Sequence, residues 1–195
     1  MMMNYNEFLD SSRLDKEQLL AWGNQTLVSD APGLIPSLPA PPMLMFDRIV
    51  SIEHNGKRGR IVAEQDITTD AWFFQCHFRN DPVQPGCLGV DAVWQLLGMY
   101  CALRGATGSG RALGCKEVEF EGQIRPYDKV VTYDIEVRRF TQIQGTSIVI
   151  GTGKVLVDGE QIYTINDAKV GVFPDIQYGD YPNRSKNSTG GVMKK

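Results

Sequence analysis

His77, one of two histidines in the chain, sits in the aromatic stretch Trp72-Phe73-Phe74-Gln75-Cys76-His77-Phe78. An imidazole titrates near pH 6.5, and phenylalanine neighbours would lower that value, so His77 is suited to act as a neutral base. A hydrogen-bonded core histidine without chemistry is the plainer alternative. Nine residues on, Pro85-Gly86 opens an apolar run with helical character. The first amides of a helix lack partners within it and favour negative charge, and glycine lets a ligand oxygen approach closely. A carbonyl oxygen seated there would be stabilised as the proton on the adjacent carbon departs. Proline and glycine are, equally, common at any helix start. Asp91 and Gln95 are four apart and share one face of that helix, which otherwise carries almost no polar side chains. A carboxylate there finds donors, raises its pKa or marks a site. The alternative is a first-turn aspartate welcomed by the helix dipole, with Gln95 satisfying a nearby backbone group. Together His77, Gly86 and Asp91 offer a base, an oxyanion donor and an acid within 15 residues.

The element that must carry Gly86, Asp91 and Gln95 is a helix over Cys87–Arg104, apolar nearly all round and therefore buried along most of its length. Strands are expected on both sides of it. Met43–Glu53 and Gly59–Ile67 read as a hairpin around His54-Asn55-Gly56, with His54 a solvated loop residue. Val131, Tyr133, Ile135 and Val137 alternate with polar residues as in a half-buried strand, and Ser147–Val157 and Glu160–Phe173 flank the hairpin turn Asp158-Gly159. The pattern predicts an α+β fold, an antiparallel sheet wrapped around one long central helix. Ahead of it, Arg13–Trp22 reads as a short covering helix capped by Ser12, and the proline-rich Ala31–Met43 as an extended connector. The expected organisation is an N-terminal extension over 1–37, the main domain over 38–178 and a polar, disordered tail over 179–195.

The chain has 195 residues, 42% hydrophobic and 22% charged, enough for one core without disulfide or metal support. A net charge of −3 recruits neither nucleic acid nor an anionic membrane. The longest apolar stretch, Leu88–Leu103, is broken by Gly89, Asp91, Gln95 and Gly98, and Met1–Asp10 lacks the features of a secretory signal, so a cytoplasmic location is expected. Cys76, Cys87, Cys101 and Cys115 form no CxxC pair and read as reduced thiols without a metal site.

The stretch Trp72–Tyr100, WFFQCHFRNDPVQPGCLGVDAVWQLLGMY, resembles the signature of the bacterial 3-hydroxydecanoyl-acyl carrier protein dehydratase/isomerase family. The resemblance continues through Leu38–Val50, Gly110–Gly114, Lys129–Tyr133 and Lys154–Gly159 and covers roughly residues 14–173. It implies the hot-dog fold, and homodimers whose active sites lie at the interface, with the histidine from one subunit and the aspartate from the other. His77 and Asp91 match those two positions. The implied reaction removes water from a 3-hydroxyacyl thioester on acyl carrier protein and shifts the trans-2 double bond to cis-3. Gly86, and with it Cys76, would hold the thioester oxygen through backbone amides, and Gln95 would orient Asp91 or its water. No cofactor or metal is implied.

An acidic carrier calls for a basic rim, for which Arg125, Lys129, Arg138, Arg139 and Lys169 are candidates; each is equally an ordinary strand charge facing solvent. The family's usual basic cluster is replaced here by the uncharged Thr141-Gln-Ile-Gln-Gly145, and Gln84 stands where an apolar residue, usually Met, is expected. Three other readings follow: a dehydratase without isomerisation, a relative specialised for polyketide or polyunsaturated-lipid synthesis, and a non-catalytic module that binds acyl thioesters.

Overall fold

Two short helices begin the chain, α1 (Tyr5–Leu9) and α2 (Lys16–Gly23), each started by a capping box: Asn4 with Glu7, and Asp15 with Gln18. The second helix was expected from Arg13; it starts later because Asp15, not Ser12, has a glutamine three residues on that returns the hydrogen bond. Phe8, Leu14, Leu19 and Trp22 are buried, and the Trp22 indole donates to the Pro36 carbonyl at 2.8 Å. This ties the extension to the connector, which forms no ladder, as its prolines require. The computed structural model describes residues 2–176 and Asn183; apart from Asn183, the expected tail over 179–195 lies outside the described residues.

Strand β1 (Arg48–Asn55) pairs with β2 (Arg58–Asp66) across a turn at Gly56-Lys57. The strand was expected from Met43, but Leu44, Met45 and Phe46 are buried before the ladder begins. His54 is thus a strand residue rather than a loop residue, with its ring edge on Tyr100 at 5.3 Å between centroids. A single 3-10 turn, Trp72–Gln75, leads to the long helix α3 (Gly86–Leu103). Five more strands follow: β3 (Ser109–Gly114), β4 (Glu117–Phe120), β5 (Val130–Ile143), β6 (Thr146–Val157) and β7 (Glu160–Phe173).

All strand pairs are antiparallel, in the order β1-β2-β5-β6-β7-β3, with β4 also on β7. Asp158-Gly159 and Gln144-Gly145 turn the two long hairpins with positive φ at both positions, the geometry that matches strand twist. Register shifts in β5, β6 and β3 bend the sheet, which lets it curl around α3. The helix packs on β7, β6, β5 and β2. It comes close because β6 has glycines beneath it: a Cβ at Gly153 would stand 2.9 Å from Val93, and one at Gly151 the same distance from Leu97. By length and hydropathy α3 could span a membrane, but 67% of it is buried inside this fold. The α+β arrangement of an antiparallel sheet around one helix is the one the pattern predicted, and it agrees with the hot-dog fold that the resemblance implied.

Candidate active site

His77 is held by a self-bonded loop. The 3-10 turn buries Phe73 and Phe74, and the His77 amide donates to the Phe73 carbonyl at 2.8 Å. Phe78 and Asp81 exchange backbone hydrogen bonds, closing the loop, and the Val83 amide donates to the His77 carbonyl at 2.8 Å. The imidazole answers it: Nδ1 lies 2.9 Å from the Val83 carbonyl oxygen. A carbonyl only accepts, so Nδ1 carries the hydrogen and Nε2 is the nitrogen left to exchange a proton. The Phe78 ring lies 3.8 Å from the imidazole, and the peptide between them is cis. Arg125 bridges to Asp81 and donates to the Pro82 carbonyl at 3.1 Å, which braces the loop from outside.

His77 and Gly86 open onto one cleft of about 410 Å³, walled by Phe78, Phe120 and Tyr163. Pro85 caps α3 with no side-chain hydrogen bond, so the first amides of the helix have no cap. Gly86 has no room for a side chain, since a Cβ would meet Phe120 Cε1 at 2.6 Å. Phe120 and Tyr163 stand edge to face at 4.7 Å, and burial pushes the Tyr163 hydroxyl up to about 12. These two wall residues were not anticipated. Tyr163 carries a weak signal as an apolar position on a long strand, whereas Phe120 lies on a four-residue strand with no readable period.

Cys76 does not join this cleft. Its amide is spent on the Phe73 carbonyl at 3.3 Å, and its exposed thiol leans on the Trp72 and Phe73 carbonyls. Gln84 lines the cleft but is only 1% exposed, and neither its carboxamide oxygen nor its nitrogen has a hydrogen-bond partner among the described residues. It lies beside the Tyr133 hydroxyl, close enough to influence it without forming a bond of proper geometry. That hydroxyl donates to Gln65 Oε1 at 2.9 Å, and burial raises its pKa strongly.

Asp91 and Gln95 are brought together, though away from His77. The Gln95 amide nitrogen donates to Asp91 Oδ2 at 2.6 Å and to the Met43 carbonyl at 2.7 Å, while its oxygen accepts from the Met45 amide at 3.3 Å. Gln95 thus bonds both to the aspartate and to the backbone of the segment before β1. Both residues line a second cleft of about 260 Å³, between the connector at Pro36–Pro39, the Trp94 side of α3 and β3. Within one chain, the candidate base and the candidate acid face different cavities.

Of the five basic residues proposed for a rim, Arg138, Arg139 and Lys169 share a cleft with Arg58, Glu136 and Asp167. Arg138 is paired with Asp167. Arg125 stands apart at the His77 loop, and Lys129 beside the Asp158 turn. Among the described residues no group of three His, Cys, Asp or Glu side chains is placed to hold a metal ion.

The family described as the FabA-like domain matches residues 38–166, which run from the connector into β7 and include His77, Gln84, Gly86, Asp91, Gln95, Phe120 and Tyr163. Among solved structures the fold is similar to the dehydratase heterocomplex ApeI:P from Xenorhabdus doucetiae, at 14% identity, over 70% of this chain and 87% of that one, with a TM-score of 0.52. It is also similar to Cj0977, a sigma28-regulated virulence protein from Campylobacter jejuni, at 14% identity, over 83% of this chain and 92% of that one, with a TM-score of 0.51. At such identity these likenesses bear on the fold.

Proposed function

The chain belongs to the FabA-like family, and from that premise we propose that it dehydrates 3-hydroxyacyl thioesters carried on acyl carrier protein, as a homodimer, and isomerises the trans-2-decenoyl product to cis-3. The observation that carries the reading is the pairing of His77, its Nδ1 bound to the Val83 carbonyl and its Nε2 left for chemistry, with the uncapped amide of Gly86 on one cleft. His77 Nε2 takes the proton from C2 of the acyl chain. The electrons of that bond form the C2–C3 double bond, and the C3–oxygen bond breaks. The Gly86 amide supports the thioester oxygen while charge develops on it. Asp91 of the partner subunit gives a proton to the departing hydroxyl, directly or through a water, so that water leaves. Isomerisation uses the same His77 to move a proton from C4 to C2. The placement of Asp91 on another cavity of its own chain supports a site completed by a second copy. The cleft of Arg58, Arg138, Arg139 and Lys169 supports docking of an acidic carrier.

The test is a time course of products from purified protein and 3-hydroxydecanoyl-acyl carrier protein, with His77→Ala and Asp91→Asn alongside and their oligomeric state checked. Both trans-2 and cis-3 products should form, and either variant should lose dehydration while still folded. Full activity in either variant overturns the assignment. Gln84 in the cleft favours a second reading, dehydration without isomerisation, for which trans-2 would be the sole product after prolonged incubation.

A further inference from the structure

The reaction proposed above uses four positions of its substrate: the thioester oxygen, C2, the C3 hydroxyl and C4. His77, Gly86 and Asp91 account for all of them. Gln84 is left over. It lines the cleft that holds His77 and Gly86, it is 1% exposed, and its carboxamide has no hydrogen-bond partner among the described residues. Its backbone is fixed, the amide donating to the Ile124 carbonyl at 3.0 Å, so the side chain stands at a defined point of the wall. A buried amide without partners is costly, and a methionine or leucine of similar length would avoid that cost. Close by, the Tyr133 hydroxyl gives its hydrogen to Gln65, which leaves its oxygen able to accept. Gln84 therefore presents a donor-and-acceptor amide to a cleft walled by phenylalanine and tyrosine, with the buried Tyr133 hydroxyl behind it.

We propose that Gln84 is a specificity-determining residue that binds an oxygen substituent on the acyl chain beyond the reacting carbons. The preferred substrate is then a 3-hydroxyacyl thioester bearing a second hydroxyl or a keto group, not a plain alkyl chain. The carboxamide nitrogen donates to either group; its oxygen accepts only from a hydroxyl. Sites built to pair with a polar substituent discriminate strongly against the analogue that lacks it, because the site's own polar groups are then left unpaired. The proposal rests on the dehydratase reading.

The experiment compares kcat/KM of the wild-type protein for pantetheine thioesters of 3-hydroxydecanoate and of its analogues with a further hydroxyl at C5, C7 or C9, or an oxo group at C7 or C9. At least one oxygenated thioester should exceed the plain one by about 10-fold or more, and Gln84→Met should reverse that order. Preference for a hydroxyl over an oxo group at the same carbon identifies the amide oxygen as the reader; equal preference identifies the nitrogen, and either supports the proposal. A plain chain turned over as well as every oxygenated one overturns it, as does a folded Gln84→Met protein with unchanged preference. If the variant does not fold, the wild-type ratios decide alone. Dehydration of none of these chains, whether on pantetheine or on acyl carrier protein, defeats the dehydratase reading, and the proposal falls with it.

Discussion

Two inactive variants should rescue each other. His77 and Asp91 open onto separate clefts of one chain, so a site holding both requires His77 from one copy and Asp91 from another. Take His77→Ala and Asp91→Asn, each expected to lose about 10²–10⁴-fold in rate through removal of the base or the acid. Mixed in equal amounts and allowed to exchange subunits, they distribute at random, and about half of the dimers are heterodimers. In each heterodimer one site receives both intact residues and the other receives neither. Half of the dimers with half of their sites restored is about a quarter of wild-type activity, far above either parent. Formation of the enoyl thioester can be followed by ultraviolet absorbance, and co-purification of two different affinity tags reports the exchange. If tagged heterodimers form and the mixture stays at the parental rate, both residues act within one chain and the reasoning from the two clefts is refuted.

Three further outcomes are expected. Gly86→Ala places a methyl 2.6 Å from Phe120 Cε1 and displaces the helix start, so kcat should fall by about 10²-fold with the far-ultraviolet dichroism unchanged; Phe120→Ala in the same chain should recover part of it. Gln95→Leu removes the donor to Asp91 and to the Met43 carbonyl, and urea unfolding should show a loss of about 1–2 kcal/mol. Partial desolvation beside Tyr100, and then the charge of Arg104, hold the imidazole of the otherwise exposed His54 below its ordinary value. The unfolded chain then takes up the proton at higher pH than the folded one, so this contribution to stability is complete above about pH 6.5 and is lost as pH falls further. His54→Gln should flatten that part of a plot of Tm against pH.

The sequence made the long strands legible because each is buried on one face: Val131, Tyr133, Ile135 and Val137 are all buried, and the residues between them are not. It left β3 and β4 unread because strands of six and four residues, one with two glycines, show no period. The start of α2 was placed too early because Ser12 has the side chain of a cap, whereas Asp15 and Gln18 make the reciprocal bond that starts the helix. At the candidate site, residue type pointed to His77, Gly86 and Asp91. What sets the tautomer of His77 is a backbone carbonyl, Val83, and a carbonyl has no letter of its own in a sequence. Gln84 was visible as an unusual residue at its position, yet its burial without a partner is a property of packing and could only be seen in three dimensions.

Nearness in sequence was the most misleading cue. A base, an oxyanion donor and an acid within 15 residues invite the idea of one compact site. The helix forbids it. Gly86 and Asp91 are five residues apart on α3, which turns the second about 140° from the first around the axis. The Gly86 amide points out of the helix end beside His77, whereas Asp91 projects sideways from the helix toward the connector, where Gln95 fixes it. In the proposed homodimer a two-fold axis would resolve this, since any contact of one Asp91 with the other chain's cleft would be returned by symmetry and both sites completed together. Specific activity should consequently fall on dilution in step with the fraction of dimer measured by light scattering or sedimentation. A site complete within one chain would keep the same specific activity at every concentration.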